Sequence, residues 1–424
     1  VSLAQRQTHR EANVQSILII GAGQAGGRAA QTLREQGFGG RLLLAGDESL
    51  RPYERPPLSK GVLTAADSAS CFDAWLHPLA FYDEQRIEWL HDGVVGLDLT
   101  ERVARLASGA DVRYDRCLFT TGGRARRLPE LAGRRNVVTL RTLPDALRLR
   151  ERLAEARRVA VLGGGFLGLE FAASARARGL DVTVVEAGDA LLGRALPAHF
   201  AARLRVKHES HGVSFKMRAA LLGCAEHASG VTLQFAEGPP LDADLCVVAI
   251  GQQPNDELAK LAGLQTGNGI HVDVCCRTSA PDVYAAGDCA NFPLDASGRR
   301  VRLESWQNAQ DQAIVAARNM LGDALEYQPT PWFWTDQYDW NIQMLGMPDG
   351  PVDAWVERPG AQDKTLLMGL RNGVIVQALA VNSGGDLRAI RRLVEQALPV
   401  DTRALADPAI KLRQLEPLVH SDRI

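Results

Sequence analysis

Ser16-Ile17-Leu18-Ile19-Ile20-Gly21-Ala22-Gly23-Gln24-Ala25-Gly26 reads as an apolar strand running into a glycine-rich turn. A second stretch, Val159-Ala160-Val161-Leu162-Gly163-Gly164-Gly165-Phe166-Leu167-Gly168, repeats the arrangement. After a helix-like segment, each leads to another apolar run ending in an acid: Leu42-Leu43-Leu44-Ala45-Gly46-Asp47 in the first copy, Val182-Thr183-Val184-Val185-Glu186 in the second. Gly21 and Gly163 permit the tight turn, Gly23 and Gly165 let backbone approach a pyrophosphate, and Gly26 and Gly168 let helix and strand pack closely. Free N–H groups at each helix start are placed to receive phosphates. Asp47 and Glu186 fall where a ribose hydroxyl needs an acceptor, and a carboxylate there repels the extra phosphate of NADP, so NAD is expected at the second copy. A lone glycine pattern of this kind is often only a turn, but two complete strand–turn–helix–strand–acid units point to two dinucleotides.

At 424 residues the chain exceeds the size at which one core keeps growing, so two or three domains are expected. Its 46% hydrophobic and 23% charged content is that of an ordinary globular protein. A formal charge of −2 offers no general attraction to nucleic acid or to an anionic membrane, and neither is expected as a partner. Val1 to Gln15 is polar and mixed in charge, without the apolar centre of a secretion signal, and reads as a frayed leader. No apolar run approaches the length of a membrane span. Seven cysteines (Cys71, Cys117, Cys224, Cys246, Cys275, Cys276 and Cys289) lie scattered, with no pair at CxxC or CxxxxC spacing, which fits reduced thiols in a cytoplasm. A flavin-linked disulfide relay is therefore not offered. Cys275 and Cys276 read as packing residues in a strand. His208 and His211 share a helical face without Cys or carboxylate companions at ligand spacing, so a solvated surface and no metal site are expected.

Between the fingerprints, Arg51-Pro52-Tyr53-Glu54-Arg55-Pro56-Pro57-Leu58-Ser59-Lys60 carries prolines that exclude regular structure until Leu58 and reads as a loop delivering Lys60. Ile87 to Tyr114 alternates short β-like runs with turns, as small antiparallel excursions do. Tyr114 to Gly123 reads as a buried strand ending in a glycine turn, and Pro144 to Arg157 as a helix with a partial leucine stripe. Cys246 to Gly251 and Val283 to Asp288 are further strand-to-turn segments, the latter followed by a helix from Trp306 to Leu321. From about Tyr327 strands and aromatics dominate (Trp332, Phe333, Trp334, Tyr338, Trp340), and a third domain is placed there. The first domain is thus interrupted by the second.

Pro56-Pro57-Leu58-Ser59-Lys60, Thr121-Gly122-Gly123-Arg124, Arg141-Thr142-Leu143, Gly163 to Glu170, Thr278 through Ala285-Ala286-Gly287-Asp288-Cys289-Ala290, and Glu304-Ser305-Trp306 are far more specific together than either glycine motif alone. With them the chain resembles, from Ser16 to about Leu415, the FAD-dependent, NADH-linked ferredoxin reductases that feed Rieske-type aromatic-ring oxygenases, relatives of putidaredoxin and rubredoxin reductases. The resemblance implies an α/β, glutathione-reductase-like fold: two Rossmann-type nucleotide-binding domains plus a C-terminal α+β domain. The corresponding boundaries are 14–124 and 249–325 for the FAD domain, 125–248 for the inserted NAD domain and 326–424 for the last.

It implies an FAD site of Gly21, Gly23, Ala25, Gly26, Asp47, Glu48, Arg55, Lys60, Val94, Thr121, Gly122, Arg141, Asp288 and Trp306, with Asp288 near the ribityl and pyrophosphate region. The implied NAD site is Gly163, Gly165, Phe166, Leu167, Gly168, Glu186 and Gly251. Lys60 would approach the hydride-accepting nitrogen of the flavin, paired with Glu170. Without the resemblance, Lys60 reads as a solvated lysine and Glu170 as a first-turn carboxylate favoured by the helix dipole. Two departures stand out: Thr120 replaces the usual alanine before the Thr-Gly turn, which two small side chains should tolerate, and Gln252-Gln253 stands where an arginine often precedes Pro254-Asn255. The second bears on the hinge of the NAD domain or on a ligand contact.

The expected reaction is hydride transfer from NADH to FAD, then two single-electron deliveries to a small acidic iron–sulfur ferredoxin, because nicotinamide gives electrons as a pair and the cluster takes one at a time. The docking face should be basic and aromatic, with Arg302, Trp306, and Trp332 or Trp334 as candidates. Taken singly, each tryptophan reads as a core or domain-interface residue ahead of a docking one. Two other readings compete: an NADH oxidase or monodehydroascorbate-type reductase on the same fold, and a flavoprotein that binds NADH to change shape and engage a protein partner, as apoptosis-inducing factor does.

Overall fold

In the computed structural model, residues 14–65, 74–193, 195–295, 297–360 and 363–418 are described. Cys71 and most of the expected leader lie outside them. Residues 1–327 form one compact unit and 328–424 another.

The first apolar run becomes β1 (Ser16–Ile20), followed by α1 (Gln24–Glu35), β2 (Arg41–Ala45) and β3 (Ile87–Leu90). Ile87 to Leu90 was expected among the antiparallel excursions; it pairs in parallel with β2 instead, Leu42 against Ile87. The excursion proper is the antiparallel meander Val94–Asp98, Val103–Leu106, Asp111–Arg113. Then come β4 (Arg116–Phe119) and the short β5 (Gly123–Ala125).

The second copy begins with β6 (Val137–Thr139) and α2 (Leu143–Glu155), then repeats the plan as β7 (Arg158–Leu162), α3 (Phe166–Ala177) and β8 (Asp181–Val185). It continues to β9 (Val213–Lys216), a three-stranded antiparallel sheet over Leu221–Ala243, and β10 (Leu245–Val248). The chain returns through β11 (Gln252–Pro254), which pairs antiparallel with β5, to β12 (Val283–Ala285) and α4 (Trp306–Asn319).

Two five-stranded sheets result, in the orders β12-β4-β1-β2-β3 and β9-β8-β7-β10-β6, all neighbours parallel. Each fingerprint strand sits in the middle, buried on both faces, which is why it is apolar without alternation. In β7, Val159 and Val161 enter one core while Ala160 and Leu162 enter the core on the other face. Leu58, Val62 and Leu63, which follow the first fingerprint in sequence, pack into the core of the second sheet.

In the 328–424 unit, β13 (Trp332–Gln337), β14 (Trp340–Leu345), β15 (Ala354–Pro359), β16 (Thr365–Arg371) and β17 (Val374–Val381) make one antiparallel sheet in the order β13-β14-β17-β16-β15. Helix α5 (Gly384–Glu395) covers it, burying Leu387, Ile390 and Leu393 in a core of its own. Among the described residues no helix is long and apolar enough to cross a membrane, and no group of His, Cys, Asp and Glu could hold a metal.

Candidate active site

The two glycine turns have the same geometry. Gly21 and Gly163 adopt φ of +112° and +110°, and a Cβ on either would strike a backbone carbonyl, of Thr120 and Ala249 respectively. Gly26 and Gly168 lie against the carbonyls of Gly21 and Gly163, where no side chain fits. Gly23 and Gly165 face the other way, a Cβ on them meeting nothing closer than 4.0 Å, so the concave side of each turn is open backbone. Helix α2 begins with a capping box from Thr142 and Asp145, and α4 is capped by Ser305. Fingerprint helices α1 and α3 have neither a side-chain cap nor an acid in the first turn. Their N–H groups are therefore left for an anionic ligand, and Ala25 and the first-turn pair Phe166 and Leu167 belong to those turns. Both polar atoms of the Gln24 amide are buried without a partner. Cradles of this kind fit dinucleotides.

The acids after the turns differ. Glu186 is half-buried and accepts from the backbone N–H of Gly164 and of Gly188, both at 2.7 Å. Asp47 is exposed past the end of β2, while its neighbour Glu48 accepts from Arg55 Nη2 at 2.6 Å and from the Tyr53 hydroxyl. Burial, with Glu48 adding to it, pushes the Tyr53 phenol well up in spite of Arg55 nearby.

Lys60 and Glu170 come together, Nζ to Oε1, at 3.0 Å. The segment before Lys60 is not irregular as expected: Pro56–Ser59 forms a 3₁₀ turn, because proline at the start of a helical turn has no N–H to lose and a preset φ. Ser59, given no role of its own within its motif, and Ser174, absent from the motifs, join the pair. Ser59 Oγ donates to Glu170 Oε2 at 2.6 Å and Ser174 Oγ to the Ser59 carbonyl at 2.7 Å. The i, i+4 spacing of Glu170 and Ser174 on α3 was the available signal.

A second cluster gathers at Asp288, in the 3₁₀ turn Gly287–Cys289 after β12. Its Oδ2 receives Arg141 Nη2 and Gln252 Nε2, each at 3.0 Å. Arg141 also donates to the Gly123 carbonyl, and Arg55 to the Arg141 carbonyl. Burial lowers the Arg141 guanidinium despite Asp288 opposite. Gln252 thus sits on the paired strand β11 and touches the acid at once. Thr121 and Gly122 are tied to Asn255 by three hydrogen bonds, and Thr120, the other departure, is buried with its hydroxyl donating to the Gly21 carbonyl at 2.7 Å. Gly251 turns at φ +100° just before β11; Val94 and Trp306 are half-buried at the starts of their elements.

Three expectations fail, two on burial and one on secondary structure. His208 is fully buried beside Phe215 rather than solvated, and only His211 lies at the surface. The Arg302 side chain is 7% exposed and paired with Glu304, so it offers no free charge for docking. Cys275 and Cys276 are in a turn, not a strand, Cys276 at φ +64° with its thiol pushed up by burial. Trp332 and Trp334 stack on each other with ring centroids 5.2 Å apart, both half-buried.

Two open glycine cradles joined through a lysine–glutamate pair define a pyridine-nucleotide-dependent oxidoreductase of the two-Rossmann class. Residues 15–313 match the sequence profile of the pyridine nucleotide-disulphide oxidoreductases and residues 332–416 that of the reductase C-terminal domain. The ferredoxin–NAD(+) reductase component of an anthranilate 1,2-dioxygenase system from Burkholderia cepacia is 40% identical, across 93% of this chain and 98% of its own length. The corresponding component of the 3-phenylpropionate/cinnamic acid dioxygenase of Photorhabdus laumondii is 39% identical, across 90% of this chain and 96% of its own. The crystal structure of the ferredoxin reductase for the CYP199A2 system of Rhodopseudomonas palustris superposes with a TM-score of 0.90 at 35% identity, covering 94% of this chain and 99% of that one. The chain belongs to the pyridine nucleotide-disulphide oxidoreductase family, in its branch of ferredoxin–NAD(+) reductases. FAD and NAD(H) are the cofactors of that family.

Proposed function

We propose that this chain is the reductase component of a multicomponent aromatic-ring oxygenase, oxidising NADH at the 163–186 fingerprint and passing electrons through FAD at the 21–48 fingerprint to a small acidic iron–sulfur ferredoxin. The observation that carries this reading is the 3.0 Å pair of Lys60 and Glu170, one from the segment after the first cradle and one from the helix of the second. When bound, FAD supplies the conversion between a nicotinamide's electron pair and single-electron delivery. The chain's residues do the rest. The uncapped starts of α1 and α3 bind pyrophosphate, and the Glu186 carboxylate, held by two backbone N–H groups, accepts from a ribose and repels the extra phosphate of NADPH. Asp288, oriented by Arg141 and Gln252, accepts on the FAD side, while Lys60 presents a positive charge steadied by a largely buried partner.

The domain division 14–124 with 249–325, 125–248, and 326–424 goes with this assignment; pairing of β5 with β11 where the chain leaves and re-enters the FAD domain supports it. Six described cysteines are free, which supports a cytoplasmic location alongside NADH as donor.

The test is NADH-driven reduction of the purified ferredoxin encoded beside this chain, by the yellow, FAD-loaded protein. Rapid reduction that prefers NADH to NADPH and weakens steeply with added salt is expected, since oppositely charged faces lose attraction as the Debye length shrinks. Fast electron transfer to oxygen with none to ferredoxin would make it an oxidase, and slow turnover with every acceptor a sensor.

A further inference from the structure

We infer that Ser59 is a positioning residue for the Lys60–Glu170 pair, its buried hydroxyl holding one carboxylate oxygen so that the other stays turned to the lysine ammonium. This rests on the role given to Lys60 above. Ser59 and Glu170 are 3% and 7% exposed, so neither oxygen of the carboxylate can rely on bulk water. Oε1 meets Lys60 Nζ at 3.0 Å and Oε2 accepts from Ser59 Oγ at 2.6 Å. A hydrogen bond to a charged acceptor at that length belongs to the strong kind, and its loss in a buried site removes a close donor that fixes how the carboxylate is turned.

Ser59 is held at its other polar group too. Its carbonyl, part of the peptide joining it to Lys60, accepts from Ser174 Oγ, one turn along the same helix as Glu170. Lys60 is thereby tied at both ends to α3, at the ammonium through Glu170 and at the backbone through Ser174. Leu58, Val62 and Leu63 seat the flanking chain in the core of the second sheet, so this arrangement belongs to the fold rather than to a swinging side chain. The hydroxyl is thus placed to govern where the positive charge lies relative to a flavin.

The experiment compares Ser59→Ala, Ser59→Thr, Ser174→Ala and Lys60→Met in the FAD-loaded full chain, reading the limiting rate of flavin reduction by NADH in stopped flow, the midpoint potential and visible spectrum of the bound flavin, and FAD content. For Ser59→Ala, FAD content and NADH affinity should stay within about twofold while the limiting rate falls roughly tenfold and the potential moves, with Ser59→Thr recovering most of both. Lys60→Met should be slowed at least as much. If Lys60→Met is slow but Ser59→Ala matches wild type in rate and potential, the inference falls and the role of Lys60 stands. If both match wild type, the role of Lys60 falls and the inference with it. Should Ser59→Ala fail to retain FAD, Ser174→Ala decides: about a threefold slower reduction with a moved potential supports the inference, and unchanged values overturn it.

Discussion

Gln252, the first of the Gln252-Gln253 pair that stands where an arginine often precedes Pro254-Asn255, donates to Asp288 Oδ2, sharing that oxygen with Arg141. A neutral amide there orients the acid without adding a second full charge to it. Replacing it with alanine removes one donor from a half-buried carboxylate, so Gln252→Ala should weaken FAD binding by roughly three- to tenfold, the worth of one ordinary hydrogen bond. Fluorescence titration of the apoprotein with FAD measures this; an unchanged affinity would leave Arg141 as the orienting group. The glycines of this site were readable because the tight turn and its positive φ are local demands, although the carbonyls that Gly21 and Gly163 approach, of Thr120 and Ala249, lie far along the chain. Gln252 was visible as a departure but not as a contact, since Asp288 lies 36 positions away. His208 and Arg302 misled for the same reason: neighbours in sequence say little about which side chains a fold will desolvate.

Both parallel sheets fasten their central strand with one acid. Asp115, just before β4, accepts from the backbone N–H of Gln15 and Ser16 at 2.8 Å, and Asp244, just before β10, from those of Arg157 and Arg158 at 2.8 and 2.9 Å. Burial works against each charge, but the backbone N–H groups, joined by the Ser16 hydroxyl and Arg102 at Asp115 and by the Arg158 guanidinium at Asp244, together outweigh it and hold both carboxyls below their usual range. A carboxyl whose value is depressed on folding contributes stability above its unfolded value and loses it as pH falls through the folded one. Asp115→Asn and Asp244→Asn should each lower stability at pH 7 and flatten the acid-side decline below about pH 4. Urea midpoints from pH 7 to 3 test it, and an unaltered slope would show that neither clamp is linked to protonation. The duplication was legible in the fingerprints, whereas these clamps were not, because an Asp before a strand becomes meaningful only once that strand lies beside its partner.

The described chain forms two compact units, 1–327 and 328–424, and the core of the second is made wholly of its own residues. Ile390, fully buried on α5, should upon replacement by alanine cost about 2–5 kcal/mol, confined to 328–424, leaving FAD content and NADH-driven flavin reduction intact. Hydrogen exchange locates the loss; faster exchange spread equally through 14–327 would show that the units unfold as one. The sequence by itself determined the repeated strand–turn–helix plan, the placing of a strand-rich aromatic segment after about Tyr327, and the two nucleotide cradles. Glycine sterics, helix starts and apolar runs act over a few residues and are written in order along the chain. Only the tertiary structure decided that Ile87–Leu90 extends a parallel sheet and that Ser59 reaches Glu170, because a hydrogen bond spanning 111 positions depends on where two sheets bring their chains, and on which groups they shut away from water.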